Sequence, residues 1–206
     1  MAKFANAVGD LGLVPFAVRR LSRPFVAMTG PEFAEVGDES VVEAYGWMIP
    51  SESDQDDAFV GHESRIVLGE RYGGRGIGGH GGGVRCGLCG DLQIKGIGAN
   101  PLAAPGAPLD YNHGGMSLFE CIQEALWGEI FTIALPCSAV RIHAVIGTNT
   151  QCWWVKRRWG AEALKERYGP DALLPRGLVV RDAALRPAHF LRALVSNITA
   201  VGNLVQ

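Results

Sequence analysis

Glycine placement constrains this chain more than any other feature. There are 28 glycines in 206 residues, about twice the usual share of roughly 7%, and 14 of them fall between Gly61 and Gly98. The densest run is Gly73-Gly-Arg-Gly-Ile-Gly-Gly-His-Gly-Gly-Gly83. It has no G-X-Y period, which excludes collagen, and a chain that is 48% hydrophobic is too apolar to be a disordered glycine-rich tail. Such a run inside a folded protein marks backbone that turns tightly or comes close to something else. The length suits one domain or two small ones, with enough apolar sequence for a packed core.

Charge and cysteine usage narrow the setting. Nineteen Lys and Arg against 21 Asp and Glu leave a formal charge of -2, which argues against a broad basic surface for nucleic acid or an anionic membrane. No apolar run approaches the roughly 18 residues of a membrane span. Asp10 sits where a secretory signal would need its apolar core, so no export signal is expected. The five cysteines, Cys86, Cys89, Cys121, Cys137 and Cys152, do not suggest a disulfide framework, which points to a reducing, cytoplasmic environment.

Along the chain, residues 1–60 read as an N-terminal extension. They mix short apolar pieces (Leu11 to Val18, Phe25 to Met28, Val41 to Ile49) with an exposed acidic loop, Glu52 to Asp57. Residues 61–206 read as the main domain. A short strand at Ser64 to Leu68 leads into the glycine tract. In Asp91 to Lys95, Leu92 and Ile94 alternate with Gln93 and Lys95, so Lys95 leaves the strand opposite the apolar pair. Ser117-Leu-Phe-Glu120 is a capping box that opens a helix. Its apolar stripe of Leu118, Cys121, Ile122, Ala125, Leu126, Ile130 and Ile133 leaves Glu120, Glu124 and Glu129 outward, and Pro136 ends it. Strands are expected at Val140 to Ile146 and Gly177 to Arg181, with an apolar C-terminal helix from Ala188. The class predicted is α+β: a small antiparallel sheet on one main helix, followed by a C-terminal helix.

Gly76-Ile-Gly-Gly-His-Gly81 spells G-x-G-x-x-G. A dinucleotide fold needs that motif to open a helix, but a strand pattern follows here. A protein-kinase-like loop instead sits in a hairpin, followed by a strand lysine and then a helix glutamate that pairs with it. Lys95 and Glu124 stand in that order. His80-Gly-Gly-Gly83 alone does not make a serine hydrolase, because no G-x-S-x-G exists. Cys86 and Cys89 are half a zinc site at most, so no metal is assigned to this chain's residues. Trp153, Trp154 and Trp159, interleaved with Lys156, Arg157 and Arg158, read as a core edge or an interface.

Three ordered blocks carry a resemblance. Gln93-Ile-Lys-Gly-Ile-Gly98, then Ser117-Leu-x-x-x-Ile122-x-Glu124-Ala125-Leu126-x-x-Glu129, then Arg181-x-Ala-x-x-Arg186-x-x-His189-Phe190 resemble the N-terminal half of the selenoprotein O family. Members of that family are protein-kinase-like enzymes that transfer AMP from ATP to protein hydroxyls. The wording is also similar to relatives found with microcin maturation systems. The resemblance implies a kinase-like N-lobe at 61–206 whose Lys95 meets ATP phosphates and whose Glu124 orients that lysine. Gly76, Gly78, Gly81, Arg181 and Arg186 would complete the phosphate pocket. It also implies ATP as ligand, with Mg²⁺ only if a C-lobe or partner chain supplies the metal ligands. A catalytic-loop acid, its asparagine and a metal-binding Asp do not follow Arg186, so the expectation is an N-lobe without its C-lobe, inactive alone. The alternative is a non-catalytic docking subunit of a peptide-modifying, microcin-type complex.

Overall fold

The computed structural model describes residues 13–50, 60–71, 81–104, 113–153, 166 and 173–184. Eight strands form one sheet: β1 (Leu13–Leu21), β2 (Phe25–Thr29), β3 (Trp47–Met48), β4 (Val60–Glu70), β5 (Cys86–Cys89), β6 (Leu92–Lys95), β7 (Ile142–Trp153) and β8 (Leu173–Asp182). They lie in the order β2-β7-β8-β6-β5-β4-β1-β3, and every pairing is antiparallel. Helix α1 (Asp38–Tyr45) follows a 3-10 turn after β2, and helix α2 (Leu118–Ala134) joins β6 to β7. The class is α+β.

The sheet is larger than the small one expected, because residues 13–48 supply three of its strands. Val14, Phe16 and Val18 are buried while Pro15 and Ala17 are exposed, the two-residue period of a strand with one face on a core. The proline in that run obscures the period. Pro15 pairs with Leu68 of β4 on one side, and on the other β3 reaches only Arg19 and Arg20, so β1 is a sheet edge at Pro15, where proline is tolerated. The other expected strands are present: β4 and β8 extend beyond the expected bounds at both ends, β7 starts two residues later and runs on to Trp153, and β6 is one residue shorter. The expected C-terminal helix and nearly all of the tryptophan cluster lie outside the described residues.

Each face of the sheet has its own core. On one, Ile94, Ala144, Ile146, Leu178 and Val180 join Phe16, Val18 and Val67 and the α1 residue Val41 in a single apolar cluster. Burying each large aliphatic side chain there contributes about 1.5–3 kcal/mol. On the other, Val145, Val179 and Ile142 pack under Cys121 and Ala125 of α2. β6 is therefore covered on both faces rather than half-buried, with Gln93 and Ile94 both buried.

Helix α2 starts as expected. Ser117 accepts from the Glu120 N–H, and the Glu120 carboxylate takes the Ser117 N–H. The first part of the expected stripe, Leu118, Cys121, Ile122 and Ala125, packs on the sheet, and the later part does not. The small residues Cys121 and Ala125 face the sheet, whereas Leu126 and Ile130 are about half exposed and Ile133 is 86% exposed. Small side chains let the helix sit low on the sheet, and this carries Glu124 inward instead of outward. Among the described residues, no helix is long and apolar enough to cross a membrane.

Candidate functional site

Register brings the site together. In β6 and β8, Gln93 lies opposite Arg181 and Lys95 opposite Val179, so Gln93, Lys95 and Arg181 share the sheet face under α2. Glu124 descends onto them. One of its oxygens, Oε2, takes the Lys95 Nζ. The other, Oε1, accepts from Arg181 Nη1 at 2.5 Å. Arg181 is held on its other edge, where Nε and Nη2 both donate to Gln93 Oε1 at 2.9 and 2.6 Å. Gln93 Nε2 in turn donates to Glu70 Oε2 at the end of β4. Five polar side chains from β4, β6, α2 and β8 thus form one chain of hydrogen bonds.

Cations outnumber the carboxylate at the exposed end of this chain. Burial holds the Lys95 ammonium below its ordinary pKa, and Arg181 and Arg85 push it the same way against the pull of Glu124. Burial alone would raise the Glu124 carboxyl. Lys95, by charge and by hydrogen bond, outweighs that together with Arg181 and Arg85, and the carboxyl stays below the usual range. Lys95 is thus a buried cation with further positive charge beside it, an arrangement that an anion would relieve. The Lys95 and Glu124 side chains keep 15% and 23% of their surface, enough for a ligand to reach them. Arg85 was not singled out from sequence. Its only signal in the sequence is its place two residues after the glycine tract.

The glycine tract meets the network at its root. Arg71 bridges Gly82, and the Glu70 carbonyl accepts from the Gly83 N–H at 3.0 Å. A Cβ on Gly82 would stand 2.2 Å from that carbonyl, so the residue must be glycine for packing reasons alone. Asn100, read from sequence only as the start of a connection, closes the other side. Its Nδ2 donates to the Gly83 and Cys86 carbonyls at 2.7 and 2.9 Å.

Several expected roles change. The Gly81 N–H donates to the Leu102 carbonyl at 3.0 Å, so this glycine helps close the root of the hairpin instead of offering an amide to a phosphate. Gly96 and Gly98, just beyond the lysine strand, make room for the protein itself. Their φ values are +91° and +111°, and a Cβ would meet Gly177 O at 2.7 Å in the first case and Ile49 at 2.8 Å in the second. Gly76, Gly78 and Arg186 lie outside the described residues. Lys95, Glu124 and Arg181 are brought together. All five cysteines are free thiols, and among the described residues no group of three or more His, Cys, Asp or Glu side chains converges as a metal site would require.

Comparison with protein-family models and with curated proteins finds no match for this chain.

Proposed function

We propose that this chain binds the phosphates of ATP through Lys95 and Arg181, as the nucleotide-binding half of a kinase-like nucleotidyltransferase resembling selenoprotein O. The observation that carries this reading is the ion pair between Lys95 and Glu124 beneath α2, with Arg181 bonded to the same carboxylate. A strand lysine held by a helix glutamate beside the root of a glycine hairpin is the arrangement a kinase-like lobe uses to hold phosphates. Lys95, Arg181 and Arg85 offset the charge of a triphosphate, and Glu124 keeps the lysine oriented while it does so. Next to them the same sheet face is apolar and open, with Ile66 63% and Leu68 36% exposed, which suits the flat face of a base. AMP transfer would further require a catalytic acid and Mg²⁺ ligands. Isothermal titration with ATP and Mg²⁺ tests the binding: heat of binding in the wild type that Lys95→Ala abolishes supports it, and no binding even with a partner chain present removes it.

One observation favours the second reading, a docking subunit in a microcin-type peptide-modification complex. Leu126, Trp127, Ile130, Phe131 and Ile133 of α2 are exposed together, and the Trp127 and Phe131 rings stack at 5.4 Å. Glu120 and Glu129 are the charged residues of that helix that do not turn inward, and the helix has no Lys or Arg. The partner such a face fits is a protein helix with an apolar stripe and a basic rim.

A further inference from the structure

Resting on the phosphate-site reading above, we infer that Gln93 is a positioning residue: its side-chain amide, fixed by Glu70, holds Arg181 in the orientation that lets Glu124 serve Arg181 and Lys95 at once. The amide has only one workable orientation. Its oxygen takes two donors of the guanidinium and its NH₂ faces the Glu70 carboxylate. Turned over, it would set NH₂ against guanidinium and oxygen against carboxylate, with both contacts repulsive and Gln93, Glu70 and Arg181 all buried. Arg181 has five N–H donors. Gln93 occupies Nε and Nη2, which turns Nη1 toward Glu124 Oε1 and leaves Oε2 for the lysine. Among the described residues Gln93 is the side chain that holds the far edge of Arg181, and without it the guanidinium can swing to take both Glu124 oxygens in the bidentate mode it prefers. Lys95 would then lose its oriented partner.

The same amide ties the phosphate site to the glycine hairpin. Glu70 is the last residue of β4, its carbonyl accepts from Gly83, and its side chain receives Gln93. The root of the hairpin and the lysine-glutamate pair are therefore two ends of one hydrogen-bonded chain, with Gln93 at its centre. This gives β6 a second role beside presenting Lys95.

The test compares Gln93→Leu with the exchanged pair Glu70→Gln plus Gln93→Glu. The exchange keeps one amide, one carboxylate and the same net charge, and it still offers Arg181 an acceptor at position 93. Two readouts are taken on the full chain. The first is ATP affinity by titration, expected to weaken by about ten- to a hundredfold in Gln93→Leu and to return to within about threefold of wild type in the exchange. The second needs no nucleotide: the Lys95 ammonium is titrated by NMR. It is surrounded by Glu124 from α2, Arg181 from β8 and Arg85 ahead of β5. Its titration should shift in Gln93→Leu and return in the exchange. A Lys95 titration that follows Gln93 in a protein that binds no ATP supports the positioning role and removes the nucleotide reading. A Lys95 titration unchanged in folded Gln93→Leu, or an exchanged pair that folds without restoring it, overturns the positioning role. If Gln93→Leu does not fold, the exchanged pair decides alone, since it should match wild type in both readouts.

Discussion

Replacing Glu124 by glutamine removes the carboxylate that two cations share, and its effect can be worked from the geometry. Two unit charges about 4 Å apart attract by about 4 kcal/mol gross at an effective dielectric constant of about 20, and both cations approach the carboxylate more closely than that. Much of this offsets the cost of taking the charges out of water, and breaking a buried pair in other proteins costs about 3–5 kcal/mol. Because 23% of the Glu124 side chain is still exposed, the lower end applies, and we expect Glu124→Gln to lose about 3 kcal/mol, or roughly 6–12 °C in Tm for a chain of this length. The sign with pH follows from the lowered pKa. Glu124 stabilises the fold fully above the unfolded carboxylate pKa of about 4.3, and that stability is lost as pH falls through its lower folded value. Thermal unfolding of wild type and variant should therefore differ at pH 7 and converge in acid. Glu129→Gln serves as the control: its carboxylate is about half exposed and reaches Arg141 only at 4.0 Å, so the change should stay within about 0.5 kcal/mol. Equal Tm values for wild type and Glu124→Gln at pH 7 would refute the claim that the carboxylate organises this site.

Lys95→Met separates stability from function. The Lys95 pKa is lowered, so the unfolded chain holds a proton that the folded chain releases, and wild-type stability should rise with pH toward the unfolded value of about 10.4. The methionine variant should lack that alkaline rise, lose less stability at pH 7 than Glu124→Gln by chemical denaturation because Arg181 still pairs with the carboxylate, and lose ATP binding. Gly98→Ala should destabilise by about 2–4 kcal/mol, since φ is +111° and the new Cβ would press on Ile49 at 2.8 Å. Unfolding midpoints measure this, and an unchanged midpoint would mean that the close approach to Ile49 does not constrain position 98.

The central part of the fold was legible because its signals were local. The capping box at Ser117, the alternation through Leu92 and Ile94, and the order of Lys95 before Glu124 each survive in the structure. The edges were not legible. Pro15 broke the appearance of β1, and a two-residue strand such as β3 has no period to detect. The seating of α2 was hidden for a different reason. The expected stripe holds at Leu118, Cys121, Ile122 and Ala125 but not at Leu126, Ile130 and Ile133, and the small Cys121 and Ala125 at the closest approach let Glu124 reach Lys95 and Arg181. Gln93, Glu70, Arg85 and Asn100 carried no motif of their own. Their roles depend on pairing between strands distant in sequence, such as Gln93 with Arg181, which no spacing rule exposes.

The structure of this chain with ATP bound tests the central claim most directly. The account predicts a triphosphate within hydrogen-bond distance of Lys95 Nζ and the Arg181 guanidinium, under the N-terminal half of α2 and beside the root of the glycine hairpin. A nucleotide bound elsewhere, with the bond from Lys95 to Glu124 intact and no phosphate near it, would contradict it.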